Sequence, residues 1–549
     1  MTATADVVFR HAVASFEPTG TGVLLWTRLS GGVDDAGWVV ATDPELRQVV
    51  ASGRQTTGPE RDHTVVVAVE DLVPATSYWY RFSAGGEDSP IGRTRTLPAG
   101  GATSFRMATV SCARFSVAPL GVYRAVAERE VDLVLHLGDY LYEDDGSSGP
   151  RRHDPPHAAV TVEDYRRRLA QIRADPDAQA LHLRHPMITI WDDHDLSDNA
   201  WRGGAKAHDP AEQGPWEARA AAAAQARQEW LPGRLPRPDD PRITWRSVVV
   251  GDLAEVLLLD TRLVGRDLQA GEEEAPDLDD PNRSLLGADQ RSWLRQRLLD
   301  LERPWAIVAS GVVVNNLELP WPRPLLWVNR LLPNGYAVLD GRVMHDDQWD
   351  GYPAERARLV AWMRQRGGGG GRTVILSGDV HSSWAFNGPV DQTTGSPVAV
   401  EMTTPAVSSA AMGRARLPGF WRILDHVANA LPAVAWANVT ERGYGIVHLT
   451  PRSATASWWF AHPYDLDPTA RTVPGAAFRS EHRWWPPRLE AVDPSMDDPV
   501  RPGLPRPLPG RPSDLSRLRR RRRLRLAAES LAFASLLLAP IAALRRRRR

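Results

Sequence analysis

The sequence predicts an α/β protein of more than one domain, with an all-β N-terminal part and a larger mixed domain behind it. Three observations carry this. Short runs of β-formers fill residues 7–97. From Ser104 to about Trp459, apolar runs alternate with helical patterns. Four of those apolar runs end in residues that can bind metals: Phe105–Val110 before Ser111-Cys112, Val131–Leu137 before Gly138-Asp139, Ile188–Trp191 before Asp192-Asp193-His194-Asp195, and Thr373–Leu376 before Ser377-Gly378-Asp379-Val380-His381. Continuous Val/Leu/Ile runs are those of strands buried on both faces, and ligand sites in open α/β sheets collect at the strands' C-terminal ends. One such ending could be a helix cap; four are hard to explain as caps.

The elements follow in order. Val23–Thr27, Thr64–Val69 and Ser77–Phe82 read as strands set between Gly, Pro and Asp clusters. Leu72-Val73-Pro74-Ala75-Thr76-Ser77-Tyr78 resembles the tyrosine corner of a fibronectin III-like β-sandwich, which places an N-terminal sandwich over 1–99. The Pro98–Ala102 stretch marks its end. Glu163–Ala170, Pro215–Leu231 and Ala288–Leu301 are expected helices, the second because it contains Ala220–Ala224. Val256–Leu259 is a further buried strand, ending in Asp260-Thr261-Arg262. The second domain spans 100–460. Residues 461–515 read as an irregular Pro-rich tail, and 516–549 as a basic-hydrophobic segment.

At 549 residues the chain exceeds one ordinary core, and 42% hydrophobic with 24% charged residues is a soluble globular composition. A formal net charge of −1 gives no reason to expect a nucleic-acid partner. The single cysteine, Cys112, excludes an intramolecular disulfide. Most of the 21 tryptophans are expected in the core. Met1–Arg10 shows no signal-peptide pattern, so a cytoplasmic location or the cytoplasmic membrane face is expected. Leu526–Leu544 is apolar between arginine clusters. A tail anchor, an amphipathic helix on anionic lipid and a solvated or partner-bound tail all fit it.

Carboxylates and imidazoles on loops from separate strands are what a two-metal site needs. The order Gly138-Asp139-x-x-Tyr142, Asp193-His194-Asp195 and Gly378-Asp379-x-His381 resembles the calcineurin-like metallophosphoesterase superfamily. More narrowly, the chain resembles the PhoD-type alkaline phosphatases. Phe9–Ser15, Leu25–Arg28, Val110–Cys112, His136–Glu143, Trp191–Asp195, Leu259–Arg262, Asp347–Tyr352 and Ser377–Ser382 match in the family's order.

The resemblance implies a four-layer α/β/β/α metallophosphoesterase domain that hydrolyses phosphomono- and diesters with a metal-activated hydroxide. It implies that Asp139 bridges the metals and that Cys112, Tyr142 and His381 complete an Fe³⁺ site. Asp193 and Asp379 would serve the second metal, Ca²⁺, with Mn²⁺, Mg²⁺ or Zn²⁺ as substitutes, and His194 would protonate the leaving oxygen. Asp192 and Asp195 read as loop-orienting groups. Asn199 is a turn residue, a ligand or a phosphate contact, and Arg262 binds phosphate or pairs with Asp260. Trp349–Tyr352 reads as a packed turn or pocket lining, and His11 as a domain contact.

Two departures stand out. The superfamily's Gly-His ligand has only Val308-Ala309-Ser310-Gly311 as a counterpart, which favours oxygen-rich calcium ligation. The family's export signal has no match. A phosphodiesterase acting on nucleotides, lipids or cell-wall polymers is the alternative within the class. A non-catalytic, membrane-associated metal-binding protein is the alternative outside it, and an acid such as His194 beside the ligands argues against that.

Overall fold

The computed structural model describes residues 7–147, 149–272, 275–317, 336–339, 342–411, 428–431, 433–461 and 472–494. The segment 516–549, and most of the proposed tail, lie outside these residues. Among the described residues no helix is long and apolar enough to cross a membrane.

The centre is a ten-stranded sheet. Its order is Glu490–Val492, Val473–Glu481, Ser453–Ala461, Arg442–Leu449, Phe105–Val110, Leu133–Leu137, Met187–Ile190, Val13–Phe16, Val23–Arg28 and Thr64–Val69. Phe105–Val110, Leu133–Leu137 and Met187–Ile190 run parallel, in register at Leu133↔Met107 and Val134↔Met187. Each was expected as a strand, and Leu133–Leu137 is buried at all five positions, as its continuous apolar run demands.

A seven-stranded sheet follows the order Arg246–Val250, Ala254–Leu258, Trp305–Ser310, Arg372–Ser377, Val400–Thr403, Ser383–Phe386 and Val434–Asn438. One apolar cluster joins the two sheets, with Met107, Leu135 and Ile190 from the first against Val256, Ile307 and Val374 from the second. A second cluster packs Tyr123, Leu169, Leu181 and Trp230 of the helices Gly121–Ala127, Val162–Arg173, Pro176–Arg184 and Trp216–Trp230 on the first sheet. A third packs Leu294, Leu298, Leu359 and Met363 of Gly287–Asp300 and Pro353–Gly368 on the second. These cores absorb many of the tryptophans; Trp26, Trp191, Trp230, Trp305, Trp349 and Trp458 are all fully buried.

The N-terminal part forms a five-stranded sheet around Val49–Thr56, Asp35–Ala41 and Ser77–Ala84. Its remaining strands join the central sheet, where Val13–Phe16 pairs in parallel with Met187–Ile190 through Phe16↔Met187. Within this part the Tyr78 hydroxyl accepts from the Val73 amide at 2.8 Å.

The structure differs from the sequence reading at 473–492, read as irregular. There Val473–Glu481 pairs antiparallel with Ser453–Ala461, and Glu490–Val492 closes that edge. Pro474 and Gly475 mask the strand pattern, yet proline is tolerated near the edge of a sheet, where fewer ladder bonds are required.

Candidate metal centre

The site forms where the parallel strands of both sheets end. Phe105–Val110 delivers Cys112, Leu133–Leu137 delivers Asp139 and Tyr142, and Met187–Ile190 delivers Asp192, Asp193 and His194. From the second sheet, Arg372–Ser377 delivers Asp379 and His381. The sheets meet here through a parallel bridge between Ser111 and Ala406.

Five of the nine predicted site residues hold left-handed backbone: Cys112 (φ 57°), Asp139 (φ 56°), Asn199 (φ 54°), Asp379 (φ 64°) and His381 (φ 52°). Such conformations cost about 1 kcal/mol or more for residues with a Cβ, so surrounding contacts must impose them. Asp195 does this on one side. Its carboxylate accepts from the amides of Asp139 (2.8 Å), Tyr140 (3.0 Å), Leu141 (3.2 Å) and Asp192 (3.0 Å), which ties two ligand loops to one side chain. Gly138, at φ 99°, lies so close to the neighbouring loop that a Cβ would sit 2.4 Å from Asp192 Cβ.

Three donor groupings share Asp139: ligand atoms of Cys112, Asp139 and His381, those of Asp139, Asp192, Asp193 and Asp379, and those of Asp139, Asp193 and His194 lie within 4.8 Å of one another within each group. Tyr142 belongs with the first, donating to Asp139 Oδ2 at 2.8 Å and lying 3.1 Å from His381 Nε2, while Ser409 Oγ donates to its oxygen at 2.7 Å. His381 is oriented by Nδ1 at 3.0 Å from the Ala410 carbonyl.

In the absence of a cation this set is electrostatically unbalanced. Burial, with neighbouring aspartates, pushes Asp139 and Asp192 well above the carboxylate range, and Asp379 rises to about 7. Burial and the Asp139 charge push the Cys112 thiol and the Tyr142 phenol up as well. The Asp193 Oδ1 atom is buried without a hydrogen-bond partner, its nearest cation being Arg262 Nη2 at 3.5 Å. Buried carboxylates, a thiol and a phenol in mutual contact are what bound multivalent cations resolve, since the metal charge holds all of them deprotonated. The residues therefore fit metal ions.

His194 stands beside this set. Burial opposes its imidazolium, but Glu143, Asp193 and Asp139 outweigh that and hold its pKa well above the ordinary histidine value. Glu143 Oε2 lies 2.8 Å from His194 Nδ1, and Glu143 Oε1 accepts from the Asp198 amide at 2.7 Å. Asn199 donates its backbone N–H to Asp193 Oδ2 at 2.7 Å and is partly exposed.

Arg262 is not at an open surface. It is fully buried, bonded to Asp192 and, through Nη1, to both oxygens of Asp347 at 2.8 Å; Asp379 lies 3.3 Å from Nη2. The expected pairing with Asp260 is corrected as well. The Asp260 carboxylate instead receives the Trp191 indole and the amides of Arg262, Leu263 and Val264.

Sequence reasoning gave no role to Glu143, Asp347, Gln348 or Ser409. Gln348 donates to Asp379 and accepts from the Val313 amide, and Asp347 anchors both Arg262 and Arg266. Glu143 and Asp347–Gln348 lay inside matched segments, which was the available signal. The missing Gly-His ligand has a steric counterpart: a Cβ on Gly311 would lie 2.6 Å from Asp192 Oδ1, so Asp192 occupies the space beside that strand end.

Comparison with known proteins agrees with this geometry. A family model described as PhoD-like phosphatase matches residues 107–458, and one described as PhoD-like phosphatase, N-terminal domain, matches residues 1–98. The chain is 31% identical over 495 residues to alkaline phosphatase D of Bacillus subtilis (strain 168), covering 86% of this chain and 80% of that protein. It is also similar to the solved structure of PhoD, with a TM-score of 0.77 and 29% identity over 90% of this chain and 94% of that one.

Proposed function

We propose a division of labour among these residues, starting from the fact that the chain belongs to the PhoD-like phosphatase family and is a metal-dependent phosphoric ester hydrolase. Asp139 would serve two cations, since it stands in both the Cys112–His381 and the all-aspartate donor groupings. Cys112, Tyr142 and His381 would hold the first, which their thiolate, phenolate and imidazole donors suit to Fe³⁺. Asp193 and Asp379, with Asp192 beside them, would hold the second, and an all-oxygen set favours Ca²⁺. Bound metals supply positive charge that neutralises the phosphoryl oxygens and acidifies the attacking water.

His194 donates a proton to the leaving ester oxygen. Glu143 fixes its ring through Nδ1, which leaves Nε2 as the proton-bearing atom facing away from that carboxylate. Asn199 contributes its side-chain amide to the phosphate. Arg262 acts as a positioning group: its single buried charge is shared among Asp192, Asp193, Asp347 and Asp379, so it holds the aspartates together.

The architecture supports a four-layer α/β/β/α reading, with two sheets face to face and helices packed on each. Tyr78 and Val73 support a fibronectin III-like relationship for the N-terminal part. The arginine-flanked apolar composition of 516–549 supports contact of that segment with an anionic membrane surface.

The observation that carries the assignment is the convergence of two donor sets on Asp139. It is tested by elemental analysis of wild type and Asp139→Asn, with p-nitrophenyl phosphate and bis-p-nitrophenyl phosphate hydrolysis on the same samples. Iron and calcium in wild type, lost together with turnover in the variant, are expected. Full turnover by a metal-depleted Asp139→Asn protein would overturn the roles of Asp139 and of the donors grouped around it.

A further inference from the structure

Arg173 ends the helix Val162–Arg173 and is 1% exposed, yet its guanidinium has only the Tyr140 hydroxyl as a side-chain partner, and none of its three nitrogens makes a hydrogen bond of good geometry. Other buried arginines of this chain, Arg168, Arg246 and Arg262 among them, have carbonyl or carboxylate partners. Arg168 donates to five backbone carbonyls, and Arg246 and Arg262 pair with carboxylates. Around Arg173 the groups that favour its charge are the phenols Tyr140 and Tyr80, and no carboxylate joins them. The nearby Asp175 is already engaged by Arg151 and the Asp177 amide. The face of Trp26, 4.3 Å from the guanidinium carbon, offsets part of the charge.

The neighbours are short of partners too. Tyr80 Oη and Ser15 Oγ have only each other, outside good hydrogen-bond geometry, and His11 Nδ1 and His182 Nδ1 are buried without a hydrogen-bond partner. His11 and His182 both sense Arg173, and His11 also senses Arg28 and Arg10. This is a buried cluster rich in donors with an excess of positive charge. Water can satisfy donors, but it leaves a buried charge uncompensated, and an uncompensated buried ion is costly.

We propose that this cluster holds one small monovalent anion of the halide class, on the Arg173 guanidinium with Tyr80 and Ser15 as hydroxyl donors. The site lies between the N-terminal strands, which supply Ser15, Trp26 and Tyr80, and the helices on the central sheet, which supply Arg173 and His182. It gives a task to His11, Ser15 and Trp26, three residues of the opening matched segments that the hydrolytic reaction does not use. The anion binds the folded chain only, so it stabilises the junction by mass action.

The test uses full-length protein purified throughout in gluconate, an anion too large for a closed cluster. Thermal unfolding is followed as chloride replaces gluconate at constant ionic strength. A saturable rise in midpoint of about 3 °C or more is expected. Arg173→Met should abolish the chloride dependence, and Tyr80→Phe, which keeps the cation, should shift it to several-fold higher chloride. Crystals grown with bromide should show an anomalous peak beside Arg173. Equal midpoints in both salts with no bromide peak would overturn the proposal, as would an Arg173→Met protein at least as stable as wild type with chloride dependence intact. If Arg173→Met does not fold, the bromide map and Tyr80→Phe decide alone: a peak with a shifted dependence upholds the site, and water density with an unshifted one rejects it.

Discussion

His194 shows how much of the proposed chemistry rests on a single contact. Its ring is held at 2.8 Å by Glu143, and that carboxylate leads the charges that raise its pKa. Removing the anion in Glu143→Gln lowers the pKa of His194, so the imidazolium is lost at lower pH. The alkaline limb of kcat should then move to lower pH. Turnover of alkyl phosphate esters, whose leaving oxygen needs a proton, should fall about 10²-fold. p-Nitrophenyl phosphate, with a good leaving group, should lose far less, and an equal loss for both esters would remove His194 from the acid role. Gly138 makes a steric prediction at the same scale. In Gly138→Ala the new Cβ would enter Asp192 at 2.4 Å in a backbone region alanine disfavours, and a destabilisation of about 3 kcal/mol or more, with loss of bound metal, is expected by urea unfolding and elemental analysis. At this scale the sequence exposed Asp139, Asp193, Asp379 and His381 because each follows an apolar strand directly. Glu143, Asp347 and Ser409 were not visible as working groups, since their partners lie on other strands and no local spacing records a pairing such as Ser409 with Tyr142.

The strands and helices most readable in the sequence were those with uniform burial or strong propensity. Phe105–Val110 and Trp216–Trp230 emerged within a residue of the expected bounds, because one is buried at five of six positions and the other is alanine-rich. Gly121–Ala127, Pro176–Arg184 and Pro353–Gly368 were not foreseen. The first is seven residues long. Pro176–Arg184 starts at proline and is buried almost all round, so it shows little amphipathic contrast. Pro353–Gly368 mixes arginines into its buried face: Arg366 caps the Leu301 and Arg303 carbonyls, and Glu355 takes Arg291. The N-terminal β-element makes its own prediction. In Tyr78→Phe the Val73 amide loses its acceptor, which should cost about 1 kcal/mol of stability and leave kcat unchanged, because Tyr78 lies in the N-terminal core cluster and makes no contact with the metal-binding loops.

At the scale of the molecule, the N-terminal strands extend the sheet that carries the site. Val13–Phe16 lies against Met187–Ile190, the strand that ends in Asp192 and Asp193, and Glu17 next to it forms a buried pair with Arg246 of the second sheet. Breaking one partner of such a pair costs about 3–5 kcal/mol. Glu17→Ala should therefore lower a single calorimetric transition for the whole chain, whereas an early transition split from an unaffected one would show that the N-terminal part unfolds by itself. Acid stability follows from the same close packing. Burial drives His136 and His185 down to about 3 and His153 to about 4. Each is neutral in the folded chain well below the pH at which it protonates in the unfolded chain, near 6.5. Between those values the unfolded state binds more protons, so stability rises with pH; it is fully present above about 6.5 and drains away as the pH falls toward 3 or 4. His185 isolates the effect, being 1% exposed and separate from the metal-binding loops. The difference in unfolding free energy between wild type and His185→Gln should be constant above about pH 7. Below about 6.5 it should shift against wild type by up to about 1.4 kcal/mol per pH unit. A difference that stays flat down to about pH 4 would mean that His185 protonates as readily folded as unfolded, and that the helix Pro176–Arg184 opens locally before the sheet beneath it gives way.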